Sequence, residues 1–137
     1  MSKGYQRIAS PKEVKTFLKN AVSSKNFTKI SVAKIQEDAQ SRIEKETGIE
    51  VKRIVMDNYA VKHSIKRNDH HIDLSDFKEV SKIINSTKNI TIQRNHMDNK
   101  AVLFTDERKN GLRVVMEIRE KKGELALVTM YRPKKLK

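Results

Sequence analysis

Two different periodicities divide this chain of 137 residues. Up to about residue 86 the apolar positions recur at helical spacing, and from Ile90 onward they alternate. Ser10-Pro11 opens the first predicted helix, which runs to about Ser24 with Val14, Phe17, Leu18, Ala21 and Val22 on one side and proline at its first position. A second helix is predicted from about Val32 to Glu46 through Ile35, Ala39 and Ile43, stopping at Gly48, a residue suited to a left-handed C-cap. IEVKRIVM then reads as a strand. Asp57 or Asn58 can cap a third helix, YAVKHSIKR, and Leu74-Ser75 begins a fourth that turns Phe77, Val80, Ile83 and Ile84 inward.

Beyond Ile90, ITIQRN, AVLFTDE, LRVVMEIRE and LALVTMYR are four strand-like runs, separated by HMDN, RKNG and KKGE. Connections this short make neighbouring strands antiparallel. The pattern therefore predicts an α+β fold in which a helical N-terminal half packs on a C-terminal four-stranded antiparallel β-meander. No repeat, low-complexity tract or Gly/Ser linker interrupts it, so residues 1–137 are expected to form a single domain, with helices over about 10–86, sheet over about 90–132 and a short basic C-terminal end.

Charge changes this picture from a generic small domain to one with a polyanionic partner. Lysine and arginine number 30 against 17 acidic residues, a net charge of +13. The excess is split almost evenly, +6 on residues 1–62 and +7 on residues 63–137, so it is not a detachable tail. Nucleic acid is the commonest partner of such a surface. The chain has no cysteine, which removes disulfides, thiolate nucleophiles and cysteine-built zinc sites. No apolar signal segment and no membrane-length run is visible, so an intracellular, cytoplasmic protein without membrane attachment is expected, with delivery into a target cell as the other route. Aromatic residues make up only 5%, which argues against sequence-specific recognition of single strands by base stacking.

Two stretches carry candidate chemistry. HSIKRNDHH, residues 63–71, holds three of the four histidines. On a helix at about 100° per residue, His63, Lys66, Arg67 and His70 fall on one face while Val61 and Ile65 point the other way. Two imidazoles and two cations around one phosphate is the functional reading, and a solvated basic helix end is the alternative. His63 and His70 lie two turns apart, not the single turn of a zinc-binding H-E-x-x-H, and no carboxylate completes a ligand set, so no metal or cofactor is expected. In LALVTMYR, simple alternation places Leu125, Leu127, Thr129 and Tyr131 on one face and Ala126, Val128 and Met130 on the other. The hydroxyls of Thr129 and Tyr131 then close an otherwise apolar row, as phosphate-binding groups or simply as the rim of the core.

The helix with HSIKRNDHH, the following IDLSDFKEVSKIINSTKNI, and the hairpins ending in LRVVMEIREKKGELALVTMYRPKK together resemble the phage and mobile-element nuclease domains grouped with barnase, EndoU, colicin and RelE-type toxins. The resemblance covers roughly Ile30 to Lys135. It implies a helical half followed by a four-stranded antiparallel sheet, and a metal-independent ribonuclease of toxin or phage-effector type. It maps a catalytic pattern onto His63, Lys66, His70, Thr129 and Tyr131.

Such chemistry suits these residues, because metal-free RNA cleavage uses the substrate's own 2′-hydroxyl and asks the protein only for a proton acceptor, a proton donor and cations. Histidine is the natural acid–base group near neutral pH. His63 and His70 are expected in those roles, Lys66 and Arg67 against the phosphorane, and Thr129 and Tyr131 at the scissile phosphate, with Glu117 as a spare base. Arg67, His71, Arg113, Arg119 and Arg132 are expected to contact the nucleic acid. The expected partners are RNA, with transfer RNA one candidate, and a cognate immunity or antitoxin protein. A non-catalytic basic nucleic-acid-binding module, or a protein-interaction or inhibitor module, would share the charge without needing clustered histidines.

Overall fold

In the computed structural model the described residues are 7–66, 72–86, 90–94, 101–109 and 111–132. The first helix, α1 (Pro11–Ala21), starts where the sequence places it: Ser10 and Glu13 form a reciprocal capping box. It stops three residues before the expected Ser24. The predicted second helix divides. Its first residues belong to β1 (Lys29–Lys34), and only Glu37–Thr47 forms α2. Ile30 and Val32 suit a strand, and what selects it is pairing with a partner 19 to 28 residues away, a contact that helical periodicity does not register. Ile35, Ala39 and Ile43 are buried as expected, and Gly48 ends α2 in the left-handed region at φ 78°.

Next come β2 (Arg53–Asp57) and, without a loop, α3 (Asn58–Lys66). The carboxylate of Asp57 accepts the N–H of Ala60 at 2.8 Å, the expected cap. The predicted fourth helix is broken at Lys78–Glu79 into α4 (Leu74–Phe77), capped by Asp73, and α5 (Val80–Asn85). Phe77, Val80, Ile83 and Ile84 are all buried. The four C-terminal strands are β3 (Ile90–Arg94), β4 (Ala101–Asp106), β5 (Leu112–Arg119) and β6 (Glu124–Tyr131).

These four strands run antiparallel in chain order, as the alternation predicts, but they are part of a larger sheet. It has six strands in the order β1-β2-β6-β5-β4-β3, with β2 parallel to β6. The expected division into a helical half and a four-stranded meander is thus corrected to an α+β fold with a mixed sheet, two of whose strands come from the N-terminal half. Alternation on β5 decides the layers. Leu112, Val114, Met116 and Ile118 join one hydrophobic cluster with Leu18, Ile43, Val61, Phe77 and Ile84, so the helices cover that face. Arg113, Val115, Glu117 and Arg119 lie on the opposite face, half-buried.

Candidate active site

Helix α3 is held at its start by Asn58, which is fully buried, accepts the N–H of Thr28 and donates to the carbonyl of Asn26, both at 2.8 Å. Ala60, Val61 and Ser64 are buried. His63 and Lys66 are exposed. The predicted sidedness of the helix therefore holds through Lys66. Arg67, His70 and His71 lie outside the described residues, as does His96.

Strand β2 pairs with β6 only along Glu124–Ala126, so beyond that point α3 takes the strand's place beside β6. The contact is made by Ser64. Its Oγ donates to the carbonyl of Ala60 at 2.9 Å, lies 3.2 Å from the hydroxyl of Thr129, and accepts the N–H of Met130 at 3.2 Å. The helix carrying His63 and Lys66 is thereby joined to the strand carrying Thr129 and Tyr131.

The strand itself departs from simple alternation. Val115 pairs with Thr129 and Met116 with Leu127, so Val128 is an extra residue, bulged and 43% exposed. Adding one residue reverses every side chain beyond it. Leu125 and Leu127 share the core face with Met130, while Thr129 and Tyr131 lie with Glu124 and Ala126 on the face away from the helices. The expected face-sharing of Leu125, Leu127, Thr129 and Tyr131 is corrected accordingly. On their actual face the two hydroxyl residues sit beside Arg113, whose guanidinium lies 5.9 Å from the centroid of the Tyr131 ring, its register partner.

A family model described as phage-Barnase-EndoU-ColicinE5/D-RelE like nuclease3 matches residues 33–137. The chain belongs to this nuclease family. The match begins within β1 and takes in α2, α3 and the rest of the sheet. No curated protein and no solved structure matches the chain.

The remaining basic residues expected at this nuclease's substrate are already engaged within the fold. Arg132 forms a two-pronged pair with the carboxylate of Asp76, 3.0 Å on each arm, which raises the guanidinium pKa and ties β6 to α4. Arg119 contacts Glu117 at 2.8 Å and Glu124 at 3.4 Å. Sequence reasoning missed Glu124 altogether, because it stands in KKGE, a turn by composition. Its carboxylate is fully buried and meets Lys29 at 2.8 Å and Arg53 at 3.3 Å as well as Arg119. Burial by itself would raise the Glu124 carboxyl. Hydrogen bonds from Lys29 and Arg119 and the nearby Arg53 charge outweigh it, so its pKa is lowered. One carboxylate thus gathers cations from β1, β2 and β5 on the sheet face opposite the hydrophobic cluster, the face that also carries Glu117, Thr129 and Tyr131. Ser64 was missed too, and no local signal distinguishes it from an ordinary helical serine.

Proposed function

We propose that this nuclease is a metal-independent endoribonuclease that cleaves RNA by transesterification, in the manner of a toxin or phage effector. The 2′-oxygen attacks phosphorus, the bond from phosphorus to the 5′-oxygen breaks, one protein group takes the 2′-proton and another protonates the leaving oxygen. The product is a 2′,3′-cyclic phosphate. His63 and His70 are assigned the two proton transfers, with Glu117 as the substitute base. Lys66 and Arg67 face the phosphorane charge, Thr129 and Tyr131 hold the scissile phosphate, and Arg113 and His71 steer the adjoining backbone.

The observation that carries this reading is the join at Ser64, which sets the helix bearing an exposed histidine and lysine against the strand bearing the hydroxyl pair, in a chain of a nuclease family. The net charge of +13 supports a polyanionic substrate. The test is incubation with total RNA and with DNA in excess EDTA, followed by sizing and end-group analysis. Fragments ending in a cyclic phosphate with DNA intact are expected, since DNA lacks the 2′-hydroxyl. Cleavage that needs a divalent metal, or that cuts DNA equally well, would overturn the mechanism.

A further inference from the structure

Seven aromatic residues are scattered along the chain, and two of them meet at the surface. Phe27 is 56% exposed and Tyr59 47% exposed, with ring centroids 5.5 Å apart and planes tilted by 57°. Phe27 belongs to the loop between α1 and β1, and Tyr59 to the first turn of α3. A phenylalanine left more than half in water forgoes much of the burial its ring could gain, so an ordinary loop would turn it inward.

This loop is held with the ring outward. The hydroxyl of Tyr59 donates to the Lys25 carbonyl at 3.2 Å, the Lys62 ammonium donates to the Ser24 carbonyl at 2.9 Å, and Asn58 bonds to both Asn26 and Thr28 at 2.8 Å. Three side chains of α3 fix four residues of the loop. With its hydroxyl engaged by backbone, Tyr59 offers solvent its ring.

The surroundings are cationic. Tyr59, His63 and Lys66 recur at i, i+4 and i+7, so the aromatic pair heads the exposed stripe of α3, and Lys25 is exposed beside it. Aromatic faces flanked by positive charge match unpaired nucleobases on a phosphate backbone, because every base has a π-face and every nucleotide a charge. We propose that Phe27 and Tyr59 form a stacking subsite for an unpaired nucleobase of the RNA substrate, next to His63. The choice of RNA rests on the ribonuclease reading above, and the subsite adds to it a preference for single strands. The low aromatic content argues only against sequence-specific stacking, and this subsite asks for none. No base is selected, since stacking tolerates all four and the Tyr59 hydroxyl is not available to read an edge.

The test is binding, separated from cleavage. Fluorescence anisotropy of the full chain with a mixed-sequence single-stranded oligonucleotide, fully 2′-O-methylated so that it cannot be cut, is compared with the same sequence as a duplex. Phe27→Ala is expected to weaken single-strand binding about 5- to 150-fold, the range of one lost base stack. Duplex affinity and the salt slope should stay nearly unchanged, because no phosphate contact is removed. Phe27→Trp should restore single-strand binding. Because Phe27 is outside the buried cluster, a thermal melt within a few degrees of the parent is expected of both variants. Equal losses on single strand and duplex, or single-strand affinity unchanged by Phe27→Ala, overturn the subsite. The second result is also what a docking site for a protein partner would give. If the parent chain cleaves RNA while Phe27→Ala binds normally, the subsite falls and the ribonuclease reading stands. If Phe27 governs single-strand binding in a chain that does not cleave RNA, the reverse holds.

Discussion

The hydroxyl oxygens of Ser64 and Thr129 lie 3.2 Å apart, 65 residues distant in sequence, at the one place where α3 replaces a strand beside β6. Ser64 has a single proton, and its shortest bond, 2.9 Å, donates it to the Ala60 carbonyl. The Thr129 hydroxyl then supplies the proton between the two oxygens. Ser64→Ala leaves the Met130 N–H and the Thr129 hydroxyl without this buried acceptor, at a cost of about 1–3 kcal/mol. We expect a matching loss in urea denaturation, and a fall in kcat with KM little changed, because the helix and the strand lose their common reference. A variant as stable and as fast as the parent would show the join to be idle.

His63→Ala should lower RNA cleavage by ~10²–10⁴ while leaving affinity for uncleavable RNA nearly intact, since a proton-transfer group acts mainly in the transition state. Its exposed position on α3 predicts an unchanged melting temperature. Single-turnover cleavage and anisotropy on the same preparation decide the matter, and full activity in the variant would falsify the assignment.

Tyr131→Phe and Thr129→Val separate two contributions. Both remove only hydrogen-bonding capacity, and both should slow cleavage if these hydroxyls hold the scissile phosphate. Thr129→Val also breaks the contact with Ser64, so it should lose about 1 kcal/mol of stability, whereas Tyr131→Phe should melt within a few degrees of the parent. Paired kinetic and thermal measurements on each variant check this. Unchanged rates in both would return the pair to the rim of the sheet.

Glu124 ties stability to acid pH. Its folded carboxyl pKa is lowered, so the stabilisation it contributes is present above the ordinary carboxylate value of about 4.3 and disappears as pH falls through the depressed folded value. Glu124→Gln leaves Lys29, Arg53 and Arg119 without their shared counter-charge and should cost roughly 3–5 kcal/mol near neutral pH. Melting curves from pH 7 to pH 3 should show the gap between parent and variant closing at the acid end. A gap independent of pH would mean that packing, not charge, explains the loss.

Salt dependence distinguishes cations proposed to meet RNA from those engaged within the fold. Replacing Lys66, which is exposed, should reduce the slope of log affinity against log salt by about one unit. Arg132→Ala should instead lower the melting temperature by several degrees and leave the slope alone, because its guanidinium is paired with Asp76. The opposite outcome for the two residues would exchange their roles.

Local chemistry was legible in the sequence. The cap at Ser10, the stop at Gly48, the Asp57 cap, the sidedness of α3 and the four alternating C-terminal runs all depend on residues close together in the chain, and the family resemblance rested on stretches just as local, HSIKRNDHH, IDLSDFKEVSKIINSTKNI and the C-terminal hairpins. Tertiary structure decided what depends on distant partners. KISVAK became β1 because β2 was there to pair with it, and β2 entered the sheet because β6 accepted it in parallel. One extra residue at Val128 moved Thr129 and Tyr131 to the face opposite the hydrophobic cluster, since a strand's side chains alternate with a period of two and a single insertion inverts all that follow. Glu124 joins Lys29, Arg53 and Arg119, and Phe27 meets Tyr59, only when the chain closes on itself, because charge pairing and ring contact act over a few ångströms of space regardless of separation along the chain.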